Sequence, residues 1–583
     1  MASDQDPPVG SGFRGGLTNY GDRDFSLFLR RSFASSMGYS REMLDRPIVG
    51  ICHSASGFNN CHRHFPEMIE AVKRGVLAAG ALPVEFPTIS LGEVFLNPTS
   101  LKYRNLMSMD VEEMARAQPV DALVLLGGCD KTVPAQLMGA ASADIPTIQL
   151  VAGPMSTGRH RGERLGACTD CRRFWARFRA GEFDRDEIDL VEQRLAATSG
   201  TCSVMGTAST MASLAEVLGI MPAGGATIPA VYADRLRMAE ETGRIAAGLI
   251  GNAALRPSRI LTRQAFENAL RLLMALGGST NALIHLTAIA GRLGIALDLS
   301  DLNRISDDTP VLVDLKPTGS GYMEDLHAAG GIPAVLRELR NLLHLDCLTV
   351  TGETLGQRIA ATPDWVDRAY IRDIAAPMRE NGGLVALFGN IAPRGAILKR
   401  SAADPALFES EGRAVVFESL EDLAARIDDP ALDVAADDYL VLKNAGPNSA
   451  TAMPEAGYLP IPRKLAQSGV KDMVRISDAR MSGTAFGTIV LHVSPDAASG
   501  GPLTLVHNGD RIRLSVAERR LELLVDAAEL DRRRRKLPPR APARPARGYD
   551  RLYQDQILQA DEGCDFNFLR PNPADIPQQE PSA

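Results

Sequence analysis

The chain has 583 residues, too many for one hydrophobic core, so we expect two or more domains. Its composition, with 45% hydrophobic and 23% charged residues, is ordinary for a globular protein. The net charge of -8 argues against a nucleic-acid-binding protein. The sequence has no apolar run near membrane-span length and no basic-then-apolar N-terminal segment, which argues against a membrane or secreted protein. We therefore expect a cytoplasmic protein.

Short apolar runs alternate with helical stretches from about residue 46 to residue 380. The expected strands lie in RPIVGICHS, VDALVLLGG and IPTIQLVAG. The expected helices lie in FPEMIEAVKRGVLAAG, STMASLAEVLGI and QAFENALRLLMALGG. This alternation predicts an α/β domain with a largely parallel sheet.

From about residue 383 the pattern changes to short strands separated by Gly, Pro, Asn and Asp. The expected strands lie in GGLVALFGNIAPRGAILK, YLVLKNAG, GTIVLHVSP, LTLVHNGDRIRLSV and RLELLV. They predict a β-rich domain, either a barrel or a sandwich. We therefore divide the chain into an α/β domain, residues 1–382, and a β-rich domain, residues 383–583.

An arginine-rich segment, RRRRKLPPRAPARPAR, begins at Arg532. It is expected to be a solvated, proline-rich surface linker. A nucleic-acid-binding arm is the alternative, but the acidic charge of the rest of the chain argues against it. The following stretch, GYDRLYQDQILQADEGCDFNFL, is expected to fold back onto the body of the protein.

Three of the eight cysteines precede predicted helices. Cys61 lies before a helix with Pro66 near its first turn, Cys129 follows the strand VDALVLLGG, and Cys202 precedes a helix with an apolar stripe. A helix N-terminus favours a thiolate over a thiol. In a parallel sheet such turns gather at one edge, where ligands usually bind.

The spacings between these cysteines, 68 and 73 residues, are too wide for a zinc finger and suit a site assembled by the fold. Three thiolates without a clear fourth fit an iron–sulfur cluster with one open iron. Such an iron acts as a Lewis acid rather than as an electron carrier. Buried structural cysteines are the alternative.

Other potential metal ligands lie near these cysteines in the sequence. Cys168 and Cys171 form a C-x-x-C motif, which is typical of a redox or zinc site. No second pair stands at metal-ligand distance from it, so we interpret this pair as structural. His62 and His64 are interpreted as hydrogen-bonded polar side chains rather than as metal ligands.

Eight ordered motifs, spread over about residues 10 to 570, resemble the dihydroxy-acid and sugar-acid dehydratase family, which includes dihydroxy-acid dehydratase and phosphogluconate dehydratase. They are NNCHRH, GGCDKTVPA, GTCSVMGTASTM, ALGGSTNALIHL, AAGGIPAVLREL, GNIAPRGAILK, MPEAG and SDARMSGTAFG. The stretch SLGEVFLNPTS, which contains Glu93, resembles the branch of pentonate and related aldonate dehydratases. In the branched-chain amino-acid enzymes an aspartate-bearing loop stands where Glu93 stands here.

The resemblance implies an iron–sulfur cluster held by the three cysteines already singled out, Cys61, Cys129 and Cys202. A [2Fe–2S] cluster is expected, with [4Fe–4S] as the alternative, which phosphogluconate dehydratase represents.

The resemblance also implies a Mg²⁺ ion beside the cluster, with Glu93, Asp130, Lys131 and Glu455 as its ligands and Lys131 carbamylated. Mg²⁺ demands hard oxygen ligands, which an ammonium group cannot supply but a carbamate can. A salt bridge with a carboxylate is the alternative for Lys131.

Ser482, in SDARMSGT, matches the proposed base of the family. A serine is a poor base unless its alkoxide is stabilised, which nearby cationic metals and N–H groups would do. A turn or N-cap serine is the alternative. Arg480 either orients the substrate carboxylate or pairs with Asp478, and the Ser-Thr-Asn triplet at 279–281 is expected to cap a helix.

The function that the resemblance implies is loss of water across C2–C3 of an aldonate, a pentonate such as L-arabinonate or D-xylonate, to give a 2-keto-3-deoxy sugar acid. The rival within the family is the dihydroxy-acid dehydratase of branched-chain amino-acid synthesis. An iron–sulfur sensor or electron-transfer protein is the rival of another class. The resemblance further implies a homodimer or homotetramer with a small-molecule substrate and no nucleic-acid or membrane partner.

Overall fold

The structure is a computed structural model that describes residues 11–17, 19–537 and 545–572. Within these residues no helix combines the length and the apolar character needed to cross a membrane.

A four-stranded parallel sheet lies in the first half of the chain. Its strands are β1 (Ile48–His53), β2 (Leu82–Pro87), β3 (Ala122–Gly127) and β4 (Thr147–Val151). They lie in the order β2–β1–β3–β4, which confirms the predicted parallel α/β architecture. A small hairpin, β5 (Gly158–His160) and β6 (Glu163–Leu165), follows this sheet.

Strand β2 was not predicted, because its sequence LPVEFP contains Pro83 and Pro87. A proline cannot donate to a β-ladder and is tolerated mainly in edge strands. The structure places β2 at one edge of the sheet, so the two prolines are compatible with it.

Helices cover both faces of this sheet. Val124 and Leu126 of β3 pack into one apolar cluster, whereas Leu123 and Leu125 pack into another on the opposite face. The helices of the first half are α1 (Arg23–Ser35), α2 (Arg41–Leu44), α3 (Phe65–Ala78), α4 (Ser100–Ala117), α5 (Thr132–Ala143), α6 (Thr169–Arg179), α7 (Arg185–Leu195), α8 (Thr207–Val217), α9 (Ala233–Gly248), α10 (Pro257–Ile260), α11 (Arg263–Leu276), α12 (Asn281–Arg292), α13 (Leu299–Asp308), α14 (Met323–Ala328), α15 (Gly331–Glu338) and α16 (Leu355–Ala360). Helices α3, α8 and α11 lie where the apolar periodicity predicts them.

The second half contains an eight-stranded mixed sheet. Its strands are β7 (Val385–Leu387), β8 (Gly395–Leu398), β9 (Glu409–Phe417), β10 (Tyr439–Leu442), β11 (Arg475–Ser477), β12 (Ile489–Ser494), β13 (Arg511–Ser515) and β14 (Arg520–Leu523). They lie in the order β14–β13–β9–β10–β11–β12–β8–β7. A bridge between Phe388, next to β7, and Arg520 of β14 joins the two edges. The sheet is therefore nearly closed, as the barrel interpretation predicts.

Two details of the second half differ from the prediction. Strands β9 and β11 were not predicted, and the predicted strand at LTLV is a 3-10 turn, Pro502–Leu505. Pro502 has no N–H for a strand ladder and fits the first position of a helical turn. The boundary between residues 382 and 383 stays a prediction.

The C-terminal part packs back onto the first half, as expected. The remaining helices are α17 (Leu420–Arg426), α18 (Arg463–Gln467), α19 (Ala527–Lys536) and α20 (Gly548–Gln556). After α20, the carbonyl of Cys564 accepts a hydrogen bond from Arg104 (2.7 Å), and Asp565 forms a fully buried ion pair with Arg292 (2.6 Å). Within the arginine-rich segment, Arg533 pairs with Asp510 (2.6 Å); its proline-rich part at 538–544 lies outside the described residues.

Candidate active site

Three carboxylates from distant parts of the sequence meet in one place. Glu93 lies in the loop between β2 and α4, Asp130 follows β3, and Glu455 begins a 3-10 turn in the second half. One oxygen of each lies within 4.8 Å of the others. The loop positions at strand ends explain the convergence of the first two, because the carboxyl ends of parallel strands share an edge of the sheet.

Two buried cations hold these carboxylates together. Lys131 Nζ lies 3.1 Å from Glu93 Oε2 and 3.9 Å from Asp130 Oδ2. The guanidinium of Arg480 lies 2.6 Å from Glu455 Oε1 and 3.1 Å from Glu93 Oε1. The side chains of Lys131 and Arg480 are 0% and 1% exposed, so these ion pairs form away from water.

The interpretation of Arg480 as a partner of Asp478 is wrong. Asp478 instead accepts hydrogen bonds from the backbone N–H groups of Ala445 (3.0 Å) and Ala497 (2.8 Å). Arg480 also donates to Thr99 Oγ1 (2.7 Å), so it ties the Glu93 loop of the first half to the second half.

Burial and the neighbouring charges shift the pKa values of Glu93 and Asp130 in opposite directions. Burial alone would raise the pKa of Glu93, but Lys131 and Arg480 outweigh it and hold that pKa at about 2. Burial raises the pKa of Asp130 to about 7, with Glu93 and Glu455 acting in the same direction and Lys131 against them. The pKa of Glu93 therefore lies below its usual value and that of Asp130 above it, so Asp130 is the more readily protonated of the two carboxylates.

The donor chemistry of this group fits Mg²⁺. Three carboxylates offer hard oxygen atoms within reach of one ion, and they are 13% to 23% exposed, which leaves an approach to the site. Lys131 fits only after modification, because its ammonium, which forms the ion pair with Glu93 described above, offers no lone pair to a metal.

The three predicted cysteines lie beside this group. Cys61 belongs to a 3-10 turn before α3, Cys129 follows β3 directly, and Cys202 precedes α8. The side chains of Cys61 and Cys129 share a hydrogen bond, and Cys202 interacts electrostatically with Cys61 and with Asp130. Sulfur donors of this kind suit iron, so the cysteines fit an iron–sulfur cluster by their chemistry and their convergence.

A further cysteine joins them. Cys168 Sγ lies 3.5 Å from Cys202 Sγ, and Cys168 also forms a hydrogen bond with Cys171. The structural interpretation of the C-x-x-C motif missed this contact. All eight cysteines are free thiols.

Burial and neighbouring sulfur control the protonation of these thiols. The hydrogen bond with Cys61, together with burial, raises the pKa of Cys129 well above its usual value. The contact with Cys168, together with burial, raises that of Cys202 in the same way. The prediction that helix N-termini favour thiolates is therefore wrong for these two cysteines. A bound metal cation would lower the pKa of these thiols, because it favours the deprotonated ligand.

The two histidines near Cys61 are hydrogen-bonded, as predicted. His62 Nε2 accepts from the N–H of Cys129 (2.9 Å), so its Nδ1 carries the proton and donates to the carbonyl of Ser54 (2.9 Å). Burial lowers the pKa of His62 to about 3. His64 donates to the carbonyl of Ala152 (2.9 Å). His62 thus supports the turn that carries Cys129 and has no nitrogen left for a metal.

Ser482 belongs to a short hydrogen-bonded network. Its Oγ lies 2.7 Å from Thr484 Oγ1 and 3.4 Å from the N–H of Thr484. Arg172 of α6 donates to Thr484 Oγ1 (2.9 Å), and Thr169 Oγ1 donates to the carbonyl of Thr484 (3.0 Å). Arg172 occupies one lone pair of the Thr484 hydroxyl, which keeps its proton available for Ser482.

Sequence reasoning missed Thr484, Arg172 and Lys399. Thr484 lies in the same motif as Ser482, and Arg172 directly follows the C-x-x-C motif, so both lie close to residues already singled out. Lys399 is fully buried and donates to the carbonyl of Gly483 (3.1 Å), and burial lowers its pKa to about 7. Lys399 ends the motif GNIAPRGAILK and a predicted strand, but neither pattern indicates that its side chain is buried against the Ser482 loop.

The Ser482 loop also packs against the first half at close range. A Cβ atom on Gly483 would lie 2.6 Å from Ser279 Oγ, and one on Gly206 would lie 2.8 Å from Thr484 Cγ2. Ser279 Oγ accepts from the N–H of Asn281 at the start of α12 (3.2 Å), whereas the side chain of the N-cap residue, Thr280, makes no capping hydrogen bond. The two glycines allow the loop to approach α8 and α12.

Comparison with known proteins gives consistent matches along the chain. Sequence models of the dihydroxy-acid/6-phosphogluconate dehydratase N-terminal and C-terminal domains match residues 46–358 and 369–564. An L-arabonate dehydratase of Azospirillum brasilense is 49% identical over 94% of this chain and 96% of that protein. An L-arabinonate dehydratase of Rhizobium leguminosarum bv. trifolii is 46% identical over 94% and 95%, and a 6-deoxy-6-sulfo-D-gluconate dehydratase of Pseudomonas putida is 45% identical over 93% and 94%.

Proposed function

The chain belongs to the dihydroxy-acid/6-phosphogluconate dehydratase family, and from this premise we propose that it converts a pentonate to a 2-keto-3-deoxy acid by loss of water across C2–C3. The observation that carries the proposal is the meeting of Glu93, Asp130 and Glu455, within 4.8 Å of one another, beside a group of buried thiols. The relatives named for L-arabonate and L-arabinonate support a pentonate such as L-arabinonate or D-xylonate.

The proposed cofactors are Mg²⁺ and a [2Fe–2S] cluster, with [4Fe–4S] as the alternative. Their ligands would be Glu93, Asp130, carbamylated Lys131 and Glu455 for magnesium, and Cys61, Cys129 and Cys202 for the cluster. When bound, Mg²⁺ supplies stabilisation of negative charge on the substrate acid, and the cluster supplies Lewis-acid assistance to the leaving hydroxyl.

Carbamylation of Lys131 is supported by its surroundings. The amine is fully buried within reach of two carboxylates, and the carbamate would add a third kind of anionic oxygen to a magnesium site. Equilibration with ¹³C-labelled bicarbonate would give a carbamate resonance in the carbon NMR spectrum. The resonance should be absent from a Lys131→Met variant, and its absence from the wild-type protein would leave Lys131 as an ion-pair partner.

Ser482 is proposed as the base that removes the proton from C2. As an alkoxide its oxygen can only accept hydrogen bonds, and the hydroxyl and the N–H of Thr484 are both placed to donate to it. The C3 hydroxyl leaves as water with the proton that Ser482 took from C2, which returns Ser482 to its starting state, and the resulting enol tautomerises to the keto acid. Arg480 keeps Glu93 and Glu455 in place during this reaction.

The Ser482→Ala variant tests this role. We expect it to lose turnover while its visible absorption and iron content stay at the wild-type level. Ser468→Ala, which changes an exposed serine of the same half, is the matched control and should stay active. Wild-type-like turnover in Ser482→Ala would remove this serine from the mechanism.

The substrate is tested by product analysis on a panel of aldonates with anaerobically purified protein. We expect turnover of pentonates to 2-keto-3-deoxy acids and little turnover of 2,3-dihydroxyisovalerate. Preferential turnover of 2,3-dihydroxyisovalerate would favour the branched-chain rival.

An iron–sulfur sensor or electron-transfer protein remains the second candidate, because the contact between Cys168 and Cys202 supplies the fourth thiol that a fully ligated cluster needs. Loss of colour in a Cys168 variant without any turnover by the wild-type protein would favour it.

The division into domains 1–382 and 383–583 is kept as a proposal, with Ser482 and Glu455 contributed by the second. The proposed protein is cytoplasmic, which its free cysteines support, and it forms a homodimer or homotetramer without nucleic-acid or membrane partners.

A further inference from the structure

Helix α6 brings a fourth thiol to the three predicted cluster cysteines. Cys168, at the start of the helix, lies 3.5 Å from Cys202, sulfur to sulfur. It also interacts electrostatically with Glu93 and Asp130.

The position of Cys168 is fixed by polar contacts on both sides of it. Asp170 is fully buried and accepts from the N–H of Gly166 (2.8 Å), from Lys316 Nζ (3.0 Å) and from the hydroxyl of Tyr322 (2.9 Å). Together with the bonds from Thr169 and Arg172 to Thr484, these contacts hold the first turn of α6 between the two halves of the chain. The thiol is therefore directed at Cys202 by the fold.

The four thiols form two pairs. Cys61 and Cys129 share one hydrogen bond, and Cys168 and Cys202 share another. Two sulfur atoms that bind one tetrahedral metal at about 2.3 Å lie about 3.8 Å apart. The separation of 3.5 Å between Cys168 and Cys202 is close to that value, and two pairs of cysteines are what a fully ligated [2Fe–2S] cluster requires.

We propose that Cys168 is a fourth, exchangeable thiol ligand of the iron–sulfur site, bound in the substrate-free protein and released when substrate enters. This inference rests on the proposed function. The three other cysteines suffice to retain the cluster, and the exchange transfers no electrons. The released thiolate takes up no proton and accepts a hydrogen bond from the thiol of Cys171. A fourth ligand of this kind would shield the open iron from solvent between turnovers.

The test compares the anaerobically purified wild-type protein with Cys168→Ala, which removes the thiol, and with Cys347→Ala, which removes a thiol outside the group, as the matched control. Iron and sulfide per chain, visible circular dichroism and the electron paramagnetic resonance spectrum of the reduced cluster are measured without substrate and with L-arabinonate. Cys168→Ser, which keeps the side-chain size, repeats the comparison if the alanine variant is unstable.

We expect Cys168→Ala to keep the iron and sulfide content of the wild type but to show shifted g-values and altered circular dichroism without substrate. Cys347→Ala should resemble the wild type. Identical substrate-free spectra in all three proteins would overturn the proposal and leave a three-cysteine cluster in place. Loss of iron from Cys168→Ala would also overturn it, because the ligand would then be obligatory. A wild-type protein without iron would refute the proposed function itself.

Discussion

The oxygen donors and the sulfur donors of the site lie side by side but are maintained in opposite ways. Glu93 and Glu455 are paired with Arg480, and Glu93 also with Lys131, so cations of the protein itself neutralise the carboxylates. The thiols of Cys129 and Cys202 have other thiols as neighbours, and the hydrogen bonds with those thiols, together with burial, raise their pKa. Glu93 and Glu455 are therefore paired with cations before a metal arrives, whereas the thiols of Cys129 and Cys202 lose their protons to a bound metal.

This difference shows how one pocket can keep two metals apart. Hard carboxylates that are already charged attract Mg²⁺, and neutral thiols do not compete for it. Because a soft metal displaces the thiol protons, its binding is coupled to proton release. The predictions below separate the two sets of donors.

The largest effect is expected from substitution of two neighbouring residues, Cys129 among the sulfur donors and Asp130 among the oxygen donors. Cys129→Ala should lose iron, colour and turnover, whereas Asp130→Asn should keep its iron and lose turnover. Both should lower turnover by at least about a thousandfold, which is about 4 kcal/mol of activation free energy. Iron, sulfide and magnesium analysis of the two variants checks this, and loss of iron from both would mean that the two sets form one site.

Substitution of Arg480, the cation that Glu93 and Glu455 share, should show how strongly these carboxylates depend on charge pairing. In Arg480→Met, Glu93 and Glu455 lose their partner, and we expect a loss of about 3 kcal/mol in the stability of the magnesium-free protein. Added Mg²⁺ should restore part of it, since the ion replaces the missing charge. Thermal unfolding with and without Mg²⁺ measures these changes in stability, and Arg480→Lys is the control. An Arg480→Met protein whose stability does not respond to Mg²⁺ would contradict the account.

A smaller effect is expected at the base. Arg172→Met should leave the iron content unchanged and lower kcat by roughly tenfold, because a hydrogen bond from a charged donor contributes about 1.5 to 3 kcal/mol. The apparent pKa for activation of kcat should rise, since the Ser482 alkoxide is less stabilised. Arg177→Met, on the exposed side of the same helix, is the control. An unchanged kcat and pH profile in Arg172→Met would remove the arginine from the network.

The last effect is on stability alone and concerns Lys399, a buried lysine without a carboxylate partner among the described residues. Burial lowers the pKa of Lys399 from 10.5 to about 7. Between these two values the unfolded chain binds more protons than the folded one, so this lysine makes stability rise with pH. Relative to Lys399→Met, the wild type should gain roughly 2 kcal/mol between pH 7 and pH 9. Thermal unfolding of both proteins at the two pH values measures the difference in stability between them. A difference that is the same at both pH values would contradict the burial cost.

Much of the fold follows from local pattern. The apolar runs of β1, β3 and β4 and the periodicity of α3, α8 and α11 predicted those elements. The sequence also predicted that Cys61, Cys129 and Cys202 would come together, because turns after parallel strands share one edge. The meeting of Glu93, Asp130 and Glu455 was implied by the family resemblance, and spacing alone would not have given it.

The missed contacts depend on tertiary structure. The approach of Cys168 to Cys202 requires α6 and α7, which lie between them in the chain, to fold back. Nothing in the sequences of the two helices predicts this contact. Arg480 was compared with Asp478 because the two are neighbours in the chain, but both lie after the end of β11 and contact different partners. The thiolate prediction considered the helix ends alone, whereas burial and adjacent sulfur decide the pKa of Cys129 and Cys202.

The most direct measurement of the central claim is a metal and sulfide analysis of anaerobically purified protein, combined with turnover of L-arabinonate before and after chelation. The account predicts iron, sulfide and magnesium in every active preparation, loss of turnover when magnesium is removed, and recovery when it is returned. A colourless, iron-free protein that still dehydrates the sugar acid in the presence of chelator would contradict it.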